Sequence, residues 1–287
     1  MTENRSIKGI LIPIGGNEDK GTTGKSRANF LEKGILSHIL QEAKGKGSKV
    51  VVIPIASNIP DEVGENYIKA FGKLGCKDIS VLRITRRGQS DGKEVLRLIG
   101  QADCIMFSGG NQSRISHKIK DTAFHRILLQ RFEDEPLVIA GTSAGAMAMA
   151  TEMIAGGSSS EALQKGAVKM KKGLGLIPGL IIDTHFVRRG RFGRLAEALA
   201  KYPDKVGVGL AEDTGLIIKN RNEFRVIGSG MVIVMDPANL THNSYQQLQA
   251  GTPMSMSNLT THILANGDRF NLDNREIEVL PIAASFV

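Results

Sequence analysis

The chain has no tryptophan and three tyrosines among 287 residues. That scarcity excludes the stacked aromatic platforms of a single-strand nucleic-acid binder as the leading expectation. Lys and Arg outnumber Asp and Glu by 37 to 29, a formal charge of +8, which equally suits substrates that carry carboxylates. Cysteine is scarce too: Cys76 and Cys104 lie in apolar-flanked stretches without C-x-x-C spacing or a nearby histidine, and read as buried, reduced thiols. No segment approaches the ~20 apolar residues of a membrane span. The run Ile10–Ile14 behind the polar start is too short for the apolar stretch of a signal peptide, ~7 to ~15 residues. These absences lead to the expectation of a cytoplasmic protein with neither membrane nor nucleic-acid partner.

What is present is a rhythm of short apolar runs alternating with helix-like periodicity. The runs are Ile10–Ile14, Val50–Ile55, Ile79–Leu82, Cys104–Phe107 and Val138–Ala140. Helical patterns cover Phe30–Ala43, Glu62–Leu74, Glu94–Ile99, a pair across Arg114–Phe132, a helix from Ala144 and one over Arg191–Tyr202. Such alternation predicts an α/β fold, a parallel sheet flanked by helices on both faces. Beyond it, Val206–Leu210, Leu216–Ile218, Phe224–Ile227, Val232–Met235, Thr261–Leu264 and Glu276–Leu280 read as short strands with turn signals between them, so the C-terminal third is expected to be β-rich. Residues 1–287 read as one domain without internal repeats, and Gly156–Ser160 as a flexible loop.

The segment Leu137–Ala150 reads as a buried strand, a tight turn and a helix of small residues, and the turn is G-T-S-A-G. In that context Ser143 is the candidate nucleophile: flanking glycines permit a strained elbow that exposes its Oγ at the sheet edge. The N–H of Ala144 then points at the oxyanion, and Gly110 in S-G-G-N-Q, after the strand ending at Phe107, is the candidate second donor, with Gln112 as a substrate contact. Of six histidines (His38, His117, His125, His185, His242, His262), His185 follows an apolar run in I-I-D-T-H-F and is the candidate base. Glu212, at the end of the strand Val206–Leu210, is preferred as its orienting carboxylate, with Glu161 in competition. Asp183 is expected to face substrate.

Arg188, Arg189, Arg191 and Arg194 crowd the start of a helix, where partial positive charge already resides, so a bound anion is expected there. The segment Gly21–Ser26, G-T-T-G-K-S, has too few residues between its glycines for a phosphate loop and is read as a mobile loop.

With P-I-G-G-N-E-D-K, S-G-G-N-Q, G-T-S-A-G-A, D-x-H-F-x-x-R-G-R-x-G-R and G-L-A-E-D-T in order, the chain resembles the cyanophycinases along nearly its whole length. These belong to a family of serine peptidases that also includes aspartyl dipeptidases, with a fold similar to class I glutamine amidotransferases. The resemblance implies an exopeptidase that cuts cyanophycin, multi-L-arginyl-poly-L-aspartate, to β-aspartyl-arginine, acting as a homodimer with no metal or organic cofactor. It implies Ser143, His185 and Glu212 as catalytic residues and Gln112, Asp183, Arg189, Arg191 and Arg194 as the substrate pocket. Thr184 departs from the glutamine expected between Asp183 and His185, which bears on specificity. The competing functions are an aspartyl or isoaspartyl dipeptidase acting on small peptides, a binding protein with an inactive site, and a basic nucleic-acid binder.

Overall fold

A computed structural model describes residues 6–21, 31–281 and 283–287. Five parallel strands occupy the first half: β1 (Ile10–Ile14), β2 (Lys49–Ile53), β3 (Asp78–Val81), β4 (Cys104–Phe107) and β5 (Val138–Thr142). Between them run α1 (Ile35–Glu42), α2 (Pro60–Lys73), α3 (Lys93–Gln101), α4 (Gln112–Ile119) and α5 (Ala123–Asp134), and after β5 comes the four-residue α6 (Ala144–Met147). The chain continues through β6 (Glu152–Gly156), β7 (Lys169–Lys172), β8 (Leu180–Thr184), α7 (Phe192–Lys201), β9 (Val206–Leu210), β10 (Thr214–Lys219), β11 (Glu223–Gly228) and β12 (Val232–Asp236). Five short strands close it: β13 (His242–Asn243), β14 (Met256–Ser257), β15 (Thr260–Leu264), β16 (Arg269–Asn271) and β17 (Ile277–Glu278).

Local chemistry accounts for the helix ends. Pro60 opens α2, Asp61 and Glu62 sit in its first turn and Lys73 in its last, matching the helix dipole. Asn111 caps α4 by accepting from the Ser113 N–H, and Thr122 caps α5 through the N–H of His125. The elbow helix is shorter than its small-residue sequence leads one to expect, ending at Met147 before the chain turns into β6.

The main sheet has nine strands in the order β17-β16-β11-β10-β1-β5-β4-β2-β3, with β1, β5, β4, β2 and β3 parallel. Alternate residues of β1, β2, β4 and β5 enter different cores, which is why these strands read as apolar runs. Leu11, Val51, Ile105 and Ile139 join α3, α4 and α5 on one face, whereas Ile12, Val52, Met106 and Ala140 meet α1 and α2 on the other. A second sheet, β15-β12-β9-β8, adds Ile182, Val208, Val234 and Leu264 to the first of these cores. Strands β6 and β7, which periodicity alone does not announce, pair as a separate ribbon.

Parallel order brings the carboxyl ends of β1, β4 and β5 to one edge, the place where sheets of this kind hold their ligands. Among the described residues, no helix is long and apolar enough to cross a membrane.

Candidate active site

Ser143 stands between β5 and α6 with φ 51° and ψ −108°, a left-handed backbone rarely adopted by a residue with a side chain. The turn is held by its N–H, which donates to the carbonyl of Ile14 at 2.8 Å. Both flanking glycines are sterically required. A Cβ on Gly141 would lie 2.6 Å from the backbone of Gly145, and one on Gly145 would lie 2.5 Å from the carbonyl oxygen of Phe107. The strain at Ser143 thus comes with the close approach of α6 to β4 and β5.

The imidazole arrives from the other sheet. His185 follows β8, has φ 49°, and donates its N–H to the carbonyl of Gly15 at 2.9 Å. Its Nε2 lies 3.0 Å from Ser143 Oγ, and its Nδ1 lies 2.9 Å from Glu212 Oε1. Glu212 follows β9, the strand paired with β8, so its proximity to His185 comes from that pairing. Burial alone would raise the Glu212 pKa, but hydrogen bonds from His185, Asn17 and Arg188 outweigh it and hold the group at about 2. Burial depresses the His185 pKa, the bond to Glu212 opposes it, and Arg189 and Arg191 add to the depression, leaving the ring below its ordinary value. A neutral imidazole oriented by an ionised carboxylate is the state that accepts a proton from a hydroxyl. Glu161, the competing carboxylate, lies in the exposed segment between β6 and β7.

A cavity of about 450 Å³ opens on Ser143 and His185. Asn17, Glu18, Lys20, Asn66, Tyr67, Gly109, Gly110, Thr142 and Arg189 also line it. Gly110 has φ 137°, and a Cβ there would meet the Ala56 carbonyl oxygen at 2.1 Å, so the turn after β4 is as constrained as the elbow. Ala144 begins α6 beside Ser143.

Several residues expected at the substrate are engaged elsewhere. Asp183 has no exposed surface: it accepts from Arg194 Nε at 2.7 Å, Arg194 Nη2 at 2.5 Å and Arg191 Nη1 at 3.1 Å. The anion that compensates Arg191 and Arg194 at the start of α7 is therefore Asp183 itself. A buried carboxylate needs such partners, and they occupy both of its oxygens. Arg188 is paired with Glu212 at 3.0 Å, and Gln112 Nε2 donates to the carbonyl of Ile154 at 2.7 Å. Thr184 is wholly buried, with its hydroxyl 3.5 Å from Met147 Sδ. Of that arginine segment, Arg189 lines the cavity. The Gly21–Ser26 segment lies, apart from Gly21, outside the described residues.

Reading the sequence for chemistry passes over Glu18, Lys20, Tyr67 and Thr142. Glu18 and Lys20 lie in P-I-G-G-N-E-D-K, directly after β1, where their place at the sheet's carboxyl edge is a usable signal. Tyr67 sits within α2 and carries no comparable mark. Among the described residues, no group of three or more His, Cys, Asp or Glu is placed to hold a metal ion.

A hydroxyl, an imidazole and a carboxylate in hydrogen-bonded series are the arrangement shared by serine hydrolases on unrelated folds. Residues 22–226 match peptidase family S51. A cyanophycinase of Trichormus variabilis is 36% identical over 277 residues, covering 96% of this chain and 90% of that protein. A cyanophycinase of Geminocystis herdmanii is 35% identical over 265 residues, covering 92% and 94% respectively. The crystal structure of a peptidase from an acI-B1 Actinobacterium superposes with a TM-score of 0.62 at 19% identity, over 90% of this chain and 98% of that one, a likeness of fold. The chain belongs to peptidase family S51, and it is a peptidase of the serine type.

Proposed function

We propose that this peptidase is a single α/β domain that hydrolyses cyanophycin, multi-L-arginyl-poly-L-aspartate, as an exopeptidase releasing β-aspartyl-arginine. The observation that carries the proposal is the series Ser143 Oγ, His185, Glu212, with contacts of 3.0 and 2.9 Å. His185 Nε2 takes the Ser143 proton as Oγ attacks the aspartyl carbonyl carbon. The N–H groups of Ala144 and Gly110 receive the negative charge that develops on its oxygen. Collapse expels the leaving amine, which takes the proton from His185, and an acyl-serine remains. Water, deprotonated by His185, then cleaves the ester and regenerates Ser143. Glu212 holds the imidazole in the required tautomer throughout and stabilises the transient imidazolium.

The likeness to cyanophycinases supports the substrate, and Arg189 at the cavity wall suits one of its carboxylates. Asp183 holds Arg191 and Arg194 on the segment that carries His185, and Gln112 ties α4 to β6. The same reading takes in a kinship of fold with class I glutamine amidotransferases and assembly as a homodimer.

A second reading is an aspartyl or isoaspartyl dipeptidase. It is favoured by the size of the cavity, about 450 Å³, which falls in the range that holds small ligands.

Mass spectrometry of the products formed from purified cyanophycin, with Ser143→Ala as control, tests the proposal. Release of β-aspartyl-arginine by the wild type alone supports it. An untouched polymer together with turnover of short aspartyl peptides transfers support to the second reading. Normal turnover by Ser143→Ala refutes the nucleophile in either case.

A further inference from the structure

One wall of the cavity holds a carboxylate, an ammonium and a phenol that acyl transfer leaves unused. Glu18, 4% exposed, accepts from Lys20 Nζ at 2.7 Å and Tyr67 Oη at 2.5 Å through Oε1, and from Thr142 Oγ1 at 2.6 Å through Oε2. Burial opposes its ionisation, but the charge of Lys20 and these donors prevail, and its pKa lies below the ordinary value. Burial and the charge of Glu18 raise the Tyr67 pKa, so the phenol remains a donor. Lys20 Nζ also sits 4.9 Å from the centre of the Tyr67 ring, within cation–π range.

The pair is asymmetric. Both line the cavity, but the Glu18 side chain is 1% exposed and that of Lys20 is 25% exposed, so the cation is the more accessible member. An ammonium carries three N–H donors, and among the described residues its bond to Glu18 uses one. A lysine already held by a buried carboxylate and an aromatic ring loses little freedom when it binds a ligand. Arg189 brings a second cation to the same cavity as Ser143 and His185, and Glu18, the one carboxylate lining it among the described residues, is already engaged by Lys20, Tyr67 and Thr142.

We propose that Lys20 is a receptor for a free carboxylate of the substrate, and that Glu18 is the positioning residue that fixes this ammonium and, through Thr142, the strand end beside the nucleophile. The ligand class is a peptide bearing an aspartyl or terminal carboxylate. The inference rests on reading this cavity as the peptidase site.

Calorimetric titration of the full chain with N-acetyl-L-aspartate, and with its uncharged diamide, tests the receptor without requiring turnover. Labelling of Ser143 by a neutral fluorophosphonate, followed in parallel, reports the nucleophile separately. Lys20→Met is expected to weaken aspartate binding by about 10- to 100-fold, the worth of one charge-assisted hydrogen bond, while labelling proceeds at the wild-type rate. Lys20→Arg keeps the charge and is expected to recover part of the affinity. Glu18→Gln is expected to weaken binding comparably, and the double variant to lose no more than either single one, because the two side chains act as a unit. Unchanged affinity in Lys20→Met, no binding to the wild type, or an equal loss for the diamide overturns the proposal. So does slowed labelling in Lys20→Met, which marks a purely structural pair. Failure of the wild type to label counts instead against Ser143 as nucleophile, and the calorimetry still decides the role of Lys20.

Discussion

Replacing Gly16 by alanine puts a methyl group 2.3 Å from Cε1 and 2.6 Å from Nε2 of His185, at a residue with φ 109°. To restore van der Waals separation the imidazole must retreat by about 1 Å. The contact of 3.0 Å between Nε2 and Ser143 Oγ then passes beyond hydrogen-bond range. A misplacement of about 1 Å costs roughly 10²-fold, and loss of a general base up to roughly 10⁴-fold. The expected fall in kcat/KM therefore lies between about 10²- and 10⁴-fold, or about 3 to 5 kcal/mol of transition-state stabilisation. The alanine backbone at this φ adds about 1–3 kcal/mol of strain to the folded state. Initial rates of product release and thermal unfolding measure the two effects separately. Gly72→Ala is the control: this residue lies within α2, an added Cβ meets nothing within 4 Å, and a gain of about 0.5–1 kcal/mol with unchanged turnover is expected. If Gly16→Ala keeps activity within an order of magnitude of wild type, the placement of His185 does not depend on this contact and the reasoning fails.

Because burial and neighbouring arginines depress the His185 pKa, kcat/KM should fall on its acid limb below the ordinary histidine value of 6.5, where the ring becomes charged and cannot accept the serine proton. Arg189→Ala removes a cation that favours the neutral ring, so a pH–rate profile should show that limb moved upward; a downward move would contradict the electrostatics. Glu212 acts on stability in the same direction of pH: its folded pKa of about 2 lies below 4.5, so its contribution is fully present above pH 4.5 and is lost as the pH falls toward about 2. Urea midpoints across that interval should therefore fall less steeply for Glu212→Gln than for the wild type. Asp183→Asn leaves Arg194, 5% exposed, without its counter-ion and should cost about 3–5 kcal/mol in urea unfolding, part of which a second change, Arg194→Met, restores.

Strands β1, β2, β4 and β5 were legible because both of their faces are buried, which turns each into a short apolar run between turns. The elbow was legible because G-T-S-A-G follows one such run. His185 and Glu212 stood out as polar residues at strand ends. What remained hidden depends on sequence-distant contacts: Glu18 meets Tyr67 49 residues away and Thr142 124 residues away, and no periodicity reports such a meeting. Asp183 shows the opposite difficulty. Its place two residues before His185 suggested a substrate contact, but it lies wholly buried within β8 and faces Arg194, the arginine eleven residues on. Sequence spacing put charges of both signs in one neighbourhood without revealing that they satisfy each other.

The proposed nucleophile and its proposed base belong to different sheets. Ser143 leaves β5 of the nine-stranded sheet, whereas His185 and Glu212 leave the neighbouring strands β8 and β9 of the four-stranded one. Gly15 and Gly16 stitch the seam: the Gly15 carbonyl accepts from the His185 N–H, and the Gly16 carbonyl accepts from the Asp213 N–H. The two contacts of the series therefore differ in kind. The one between His185 and Glu212 is inherited from strand pairing and survives whatever keeps β8 beside β9. The one between Ser143 and His185 is a tolerance between two separately built parts, and a redesign that repacks either sheet will meet its limit first at two residues without side chains.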